Sequence, residues 1–224
     1  ERSDARPIDD WVLSALESSL LGGLGDTLVF LPGAHEIRRS IERCVGIARR
    51  DNLILAPLHG SMPTGELARA ISPCAQRKVI FATNIAETSL TIEGVETVID
   101  TGLARIASDD RWTGMSQLAV GPISRASAIQ RAGRAGRTKP GRCIRLFSRS
   151  DFERRREHDL PEVQRLDLCE LVLGLKASGY DPRKLEWLDS PPARTLDAAD
   201  GLLATLGATD ATAAITPVGK QMAG

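Results

Sequence analysis

TLVFLPGAHEIRRSIERCVGIARRDNLILAPLH (residues 27–59) is the stretch that decides the fold. It opens with a short apolar run, TLVFL at 27–31, and closes with a second one, LILAPLH at 53–59. Between the two runs, residues 34–50 carry their apolar side chains at helical spacing. A continuously apolar strand, an amphipathic helix and another such strand predict a parallel sheet whose two faces are both covered.

The same alternation continues on either side of this stretch. Further strands are predicted at KVIFAT (78–83), VETVID (95–100) and RCIRLF (142–147), with helices at 65–71 and near Ala86. A leading helix is predicted from Asp9, a plausible N-cap, to Leu21. The predicted fold class is therefore α/β, a mostly parallel sheet with helices on both faces. Ligands of such sheets bind at the carboxyl ends of the strands.

The pattern changes after residue 100. LARIA (103–107) and SQLAV (116–120) flank a polar turn and predict a β-hairpin that projects from the sheet. From Asp167 the chain becomes mainly helical, with Gly179 predicted to end one helix and Pro217 to begin another. We therefore expect a domain boundary near residues 160–161, followed by a smaller, mainly helical region.

Composition restricts the class of protein. Hydrophobic residues make up 42% of the 224 residues and charged residues 26%, which is typical of a soluble α/β protein. No apolar run approaches the roughly 18–20 residues that span a bilayer, and no signal-peptide pattern begins the sequence, so we expect a cytoplasmic protein without a membrane partner. The four cysteines are far apart and lack metal-ligand spacing, which predicts reduced core thiols and no metal site.

Charge is balanced overall but unevenly distributed. Between Arg125 and Arg156, eleven Lys or Arg residues stand against two acidic residues. Binding to nucleic acid requires clustered basic side chains. This segment therefore keeps a nucleic-acid partner open, although the formal net charge of the chain is zero.

QRAGRAGR (130–137) places three arginines at a spacing of three, with only Ala and Gly between them. On a helical turn the arginines would lie along one slowly drifting side. The rigid guanidinium fork suits phosphate oxygens, so the stretch predicts a phosphate site. A solvated, arginine-rich helix end is an alternative that the residues alone leave open.

FATNIAETSLTIEG (81–94) follows a predicted buried strand and is rich in hydroxyl and amide side chains. In this position Thr83, Asn84, Thr88 and Ser89 are able either to bind phosphates or to cap the short helix. Taken alone, these residue types favour capping.

Together these stretches resemble the superfamily 2 helicases, and among them the DEAH-box RNA helicases. ATNIAETSLTI resembles the fifth motif of the family and QRAGRAGR the sixth, while LVFLPG (28–33) and LHGSMP (58–63) resemble the fourth motif and its extension. LEWLDSPPA (185–193) is most similar to the bacterial HrpB branch. The resemblance implies a second RecA-like domain at 26–160. An interdomain linker with a leading helix would precede it at 1–25, and a partial winged-helix region would follow at 161–224.

The resemblance also implies contacts with ATP. Arg134 and Arg137 would be arginine fingers for the β- and γ-phosphates of an ATP that is held, with its Mg²⁺, mainly by a first RecA-like domain. Gln130 would contact the γ-phosphate or the attacking water. Thr91 and Glu93 occupy ribose-contacting positions, although many members of the family have aspartate in place of Glu93.

Ile71 has two interpretations, and Arg131 is expected to differ from the other arginines of the sixth motif. Ile71 aligns with an aromatic residue that stacks on adenine in the family, and an isoleucine there suits either apolar contact with the base or the core. Arg131, the first arginine of the sixth motif, is expected to bond within its own domain.

For RNA, the resemblance implies that Gly33, Ser61, Thr83 and Asn84 hold the sugar-phosphate backbone of a single strand without reading its sequence. The hairpin at 103–120 would separate strands, with Trp112 at its tip either stacking on a base or packing against a neighbouring domain.

No GxxxxGK[ST] and no DEAH-type tetrad occurs in the sequence. We therefore expect the C-terminal half of the motor of an ATP-dependent RNA helicase, beginning in a linker, ending in a winged-helix element and inactive by itself. A non-catalytic RNA- or partner-binding module is one alternative, although such a module has no evident use for ATP-facing arginines. A DNA-translocating relative is the other.

Overall fold

The computed structural model describes residues 6–21, 25–88, 90–109, 116–137 and 139–224. Contacts divide the chain into two compact units. The first unit comprises residues 1–106 and 120–159, and the second comprises 107–119 and 160–224. The domain boundary expected near residues 160–161 stays a prediction, because a compact unit is not by itself a domain.

Helices and strands alternate through residue 100, as the sequence predicts, and the two hairpin strands come next. In chain order the elements are α1 (Ile8–Leu20), β1 (Asp26–Phe30), α2 (Ala34–Arg50), β2 (Ile54–Leu58), α3 (Thr64–Ile71), β3 (Lys78–Ala82), a 3₁₀ helix (Asn84–Ala86), β4 (Val95–Asp100), β5 (Leu103–Asp109), β6 (Ser116–Pro122), α4 (Arg125–Ala132), β7 (Arg142–Arg145) and α5 (Arg149–Arg154). The predicted α/β class is thereby confirmed.

Five strands form one sheet in the order β2-β3-β1-β4-β7, and all four neighbouring pairs are parallel. Alternate residues of each strand reach opposite faces. Val29 and Phe81 belong to a core cluster that α1 and α2 cover, and Leu28 and Ile80 to a second cluster with α3. Both faces are therefore buried, which explains why the strands are apolar throughout.

β5 and β6 pair in a separate two-stranded sheet, as predicted for the hairpin. Its predicted tip, including Trp112, lies outside the described residues.

Three local predictions are wrong. Asp9 does not cap α1, because the helix begins at Ile8 after Pro7, and the Asp9 carboxylate instead pairs with Arg39 at 3.1 Å. The arginines of QRAGRAGR do not share one helical side, because α4 ends at Ala132. Not all the cysteines are core thiols, since Cys74 is exposed. For the buried Cys44, desolvation raises the pKa to about 12, which keeps it a neutral core thiol.

Gly102, between β4 and β5, has a φ of +70°. A Cβ at this position would lie 2.4 Å from Cδ1 of Phe147 and 2.7 Å from Nη2 of Arg155. We expect Gly102→Ala to lower the free energy of unfolding by about 2–4 kcal/mol, because backbone strain and steric overlap add. Urea unfolding of the chain measures this loss.

The matched control for this prediction is Gly94→Ala. Gly94 has a φ of +81°, but a Cβ there would meet nothing closer than the Asp26 carboxylate at 3.7 Å. We expect a loss of about 1 kcal/mol from backbone strain alone. Equal losses for both variants would contradict a steric contribution at Gly102.

The second unit has three α-helices among its described residues. They are α6 (Cys169–Ala177), α7 (Ala193–Thr205) and α8 (Pro217–Ala223), with a 3₁₀ helix at Glu162–Gln164 and an antiparallel bridge between Thr209 and Ile215. Gly179 follows α6 with a φ of +83°, and Pro217 begins α8, as predicted. Leu173 and Leu203 belong to the apolar cluster that joins α6 to α7.

Among the described residues, no helix has both the length and the apolar composition needed to cross a bilayer.

Candidate functional site

The residues predicted to contact RNA follow three neighbouring strands of the sheet. Ser61 lies beyond the end of β2, Thr83 and Asn84 beyond the end of β3, and Gly33 beyond the end of β1. Since these strands are parallel and adjacent in the order β2-β3-β1, their three loops share the carboxyl edge of the sheet. The structure thus brings the four residues into one row, which we call the strand-end row.

Gly33 lies in the most crowded loop of the row. It is buried and immediately precedes α2, and a Cβ there would lie 2.5 Å from Nε of Arg105 and 2.9 Å from Oε2 of Glu36. Arg105, on β5, also pairs with Glu36 at 3.7 Å. Sequence reasoning missed Arg105, because only the packing of the hairpin base on this loop places a cation there.

Hydroxyl groups line the rest of the row. Ser61 is exposed, and its hydroxyl lies 2.9 Å from Nδ1 of His59, which orients it within the turn after β2. Thr83 precedes the 3₁₀ helix but makes no capping hydrogen bond through its side chain. The capping alternative is therefore wrong for Thr83, and its hydroxyl remains available to a ligand.

Asn84 is exposed at the first position of the 3₁₀ helix. Ser89 lies outside the described residues.

A second group of predicted residues lies around the turn after α4. Arg137 is exposed and donates from Nη1 to the hydroxyl of Thr91 at 3.4 Å, which joins the sixth motif to the predicted ribose position. Glu93, two residues further along the same loop, is also exposed. The structure therefore brings Arg137 and Thr91 together on an open surface.

Arg134 lies deeper than Arg137. Its guanidinium donates to the carbonyl oxygens of Leu90, at 2.7 Å, and of Glu87. Burial lowers the pKa of Arg134, the charge of Arg137 lowers it further, and Glu87 partly opposes both. Within the described ranges neither arginine forms an ion pair with a carboxylate. Two adjacent cations without a carboxylate partner suit an anionic ligand such as a nucleotide phosphate.

Gln130 and Ile71 are less strongly supported as residues that contact a nucleotide. Gln130 is exposed near the end of α4. Ile71, the last residue of α3, is partly buried and packs against the same core cluster as Leu90 and Ala135. It shares that face of the sheet with the arginine-bearing turn, and its packing suits the core interpretation that the sequence left open.

Arg131 differs from the other arginines of the motif, because it is fully buried. It pairs with the carboxylates of Glu87 at 2.9 Å and Asp100 at 3.0 Å, which confirms that it bonds within its own domain. Sequence reasoning missed both acidic partners. The available signal was the carboxylate of Asp100 directly after the apolar pair Val98 and Ile99, since such a group is rarely buried without a cation.

Among the described residues, no three His, Cys, Asp or Glu side chains are grouped so as to hold a metal ion. The fit to a nucleotide thus rests on cations and hydroxyls.

The parallel sheet, its strand-end row and the paired arginines after α4 are features of a helicase motor domain. Residues 13–139 match the family described as the helicase conserved C-terminal domain, and the chain belongs to that family. Within it, the resemblance to DEAH-box RNA helicases of the HrpB-like branch is confirmed by the relatives that follow.

Three relatives and one solved structure support this placement. The pre-mRNA-splicing factor ATP-dependent RNA helicase prp22 of Schizosaccharomyces pombe is 38% identical over 100% of this chain and 20% of its own length. The ATP-dependent RNA helicase HrpB of Escherichia coli is 42% identical over 90% of this chain and 25% of its own length. The probable ATP-dependent RNA helicase DHX35 homolog of Caenorhabditis elegans is 41% identical over 89% of this chain and 28% of its own length.

A crystal structure of the Escherichia coli DEAH/RHA helicase HrpB superposes with a TM-score of 0.89 at 40% identity. The match covers 98% of this chain and 28% of that one. The chain therefore spans about a quarter of the length of the relatives that it matches.

Proposed function

We propose that this chain is the second RecA-like half of an ATP-dependent RNA helicase motor. In that role it supplies arginine fingers to ATP and half of the track for single-stranded RNA. The observation that carries the proposal is the pair Arg134 and Arg137, which bond to the consecutive residues Leu90 and Thr91 and form no ion pair among the described residues. Cations in this state stabilise the charge of a transferring phosphoryl group.

The proposal includes a first RecA-like domain as partner. That domain would hold most of the ATP together with Mg²⁺, while Arg134, Arg137 and Gln130 face the phosphates and Thr91 and Glu93 face the ribose. Residues 161–224 would be part of a winged-helix region, and residues 1–25 a linker with the leading helix. We expect the complete helicase to act in the cytoplasm.

RNA is the proposed substrate of the strand-end row. Gly33, Ser61, Thr83 and Asn84 offer backbone groups, hydroxyls and an amide at the carboxyl ends of three adjacent strands. Such groups contact phosphate and sugar and carry little sequence information. A DNA-translocating relative would use the same contacts, and comparing RNA with DNA of equal sequence in a strand-competition assay separates the two.

Thr83→Val tests this surface, because it removes the hydroxyl while keeping a β-branched side chain. In a helicase that contains this chain, we expect the affinity for single-stranded RNA to fall about tenfold, on the scale of a hydrogen bond to a charged group. The loss should be similar for RNAs of different sequence. Fluorescence anisotropy at fixed salt concentration measures it.

Thr205→Val, at an exposed threonine that ends α7, is the matched control and should leave RNA affinity unchanged. An unchanged affinity for Thr83→Val would remove Thr83 from the RNA track.

A further inference from the structure

The side chain of Arg131 connects three segments of the first unit. Its Nε donates to Oε2 of Glu87 at 2.9 Å, and its Nη1 donates to Oδ1 of Asp100 at 3.0 Å. Nη1 also donates to the carbonyl oxygen of Leu103 at 3.1 Å. Because the guanidinium is planar and rigid, these bonds fix the three segments relative to one another.

On one side, the connection leads to the proposed finger. The Glu87 carboxylate accepts hydrogen bonds from Arg131 and, at 2.6 Å, from Ser127 of α4. The carbonyl oxygen of the same residue accepts a hydrogen bond from Arg134. Fixing Glu87 therefore fixes one of the two carbonyl groups that hold Arg134.

On the other side, the connection leads to the base of the hairpin. Leu103 is the first residue of β5. Asp100, at the end of β4, also accepts a hydrogen bond from the backbone N–H of Gly102 at 2.9 Å. Arg131 and Asp100 thus hold both the last residue of the sheet strand and the first residue of the hairpin.

The network is not one that stability alone would favour. Arg131 and Asp100 are fully buried, yet Nη2 of Arg131 and Oδ2 of Asp100 have no hydrogen-bond partner in the described part of the chain. Buried ion pairs are often no more stabilising than apolar residues of similar volume, and unsatisfied buried polar atoms add a cost. A positional role would offset that cost.

We propose that Arg131 is a positioning residue that couples the ATP-facing arginine to the hairpin base. Through Glu87 it sets the position of Arg134, and through Asp100 and the carbonyl of Leu103 it sets the start of β5. A displacement at the phosphates is thereby passed to Leu103, the first residue of β5. This inference rests on the proposed function and adds to it a physical connection between ATP hydrolysis and strand separation.

Glu87→Gln and Arg131→Lys test the connection in a helicase that contains this chain. Glutamine keeps the size of Glu87 but weakens the charge-assisted bond, and lysine keeps the charge of Arg131 but has no fork with which to hold three acceptors. We expect kcat for ATP hydrolysis to fall about ten- to a hundredfold in both variants, with the KM for ATP changed less than about twofold.

For Arg131→Lys we also expect the number of base pairs unwound per ATP hydrolysed to fall by about threefold or more. Partial unfolding would lower hydrolysis and unwinding in proportion and leave this ratio unchanged, so the ratio separates positioning from a merely structural role. Should Arg131→Lys fail to fold, Glu87→Gln still tests the link to Arg134.

Glu96→Gln is the matched control. Glu96 is a partly buried glutamate that accepts a hydrogen bond from the Gly25 N–H at 2.9 Å, near the opposite end of β4, and its variant should keep normal kcat. If Glu87→Gln behaves like Glu96→Gln while Arg137→Ala is inactive, the coupling is refuted and the proposed function stands. An unchanged unwinding ratio in Arg131→Lys would also refute the coupling. Full hydrolysis by Arg137→Ala would refute the proposed function itself.

Discussion

Replacing Arg137 with alanine is expected to lower kcat for ATP hydrolysis by about three decades or more in a helicase that contains this chain. Arg137 is exposed beside Thr91 and forms no ion pair within the described ranges, so its charge is available to phosphate oxygens. The affinity for single-stranded RNA should change less than about twofold, because the proposed RNA contacts lie on the strand-end row. Steady-state ATPase assays at saturating RNA measure the first effect and anisotropy the second.

The control for this substitution is Arg149→Ala. Arg149 is an exposed arginine of α5 that pairs with Glu153 on the same helix, so its loss removes a positive charge from the surface without touching the proposed site. Both hydrolysis and RNA binding should remain normal. If Arg137→Ala lost RNA binding and hydrolysis to the same extent, the finger assignment would be wrong.

Arg134→Ala should abolish hydrolysis as well, but with a further consequence. Arg134 holds the carbonyl groups of Glu87 and Leu90, so its removal also loosens the loop that carries Thr91. We therefore expect weaker binding of ATP, measured as a higher Kd, in this variant, an effect that Arg137→Ala should lack.

Arg131→Met is expected to lower the free energy of unfolding of the chain by about 3–5 kcal/mol. Methionine roughly fills the space, but it leaves the carboxylates of Glu87 and Asp100 in the interior without their cation. An uncompensated buried charge costs far more than a lost surface pair. Equilibrium urea unfolding measures the loss, and Arg149→Met, at an exposed pair, should cost less than about 0.5 kcal/mol.

The double variant Arg131→Met with Glu87→Gln separates the charge from the packing. Neutralising Glu87 removes one of the two unpaired carboxylates, so the double variant should be more stable than Arg131→Met alone. A loss below about 1 kcal/mol for Arg131→Met, or no recovery in the double variant, would contradict the buried ion-pair account.

The strands and most helices were predictable because their signals are local. Continuous apolar runs identify strands buried on both faces, and α2 begins and ends at the predicted residues because its amphipathic pattern covers the whole segment. The end of α4 was not predictable from arginine spacing. The helix ends at Ala132, followed by Gly133 as its C-cap, because glycine is a poor helix former.

The chemistry of the site was less accessible to sequence reasoning. A hydroxyl cluster after a strand is compatible with capping or with ligand binding, and only the structure excludes a capping hydrogen bond from Thr83. The partners of Arg131 are 31 and 44 residues away in sequence, so no local pattern identifies them. The individual site residues were predicted from the family resemblance. The residues alone predicted only the basic segment between Arg125 and Arg156.

The central claim is that this chain presents an ATP-facing group and a separate RNA-facing row. Measuring ATP hydrolysis at saturating RNA and RNA affinity in parallel for Arg137→Ala and Thr83→Val tests this claim most directly. The account predicts opposite outcomes: Arg137→Ala loses hydrolysis and keeps RNA binding, whereas Thr83→Val loses RNA affinity and keeps hydrolysis at saturating RNA. Equal loss of both activities in both variants would contradict it.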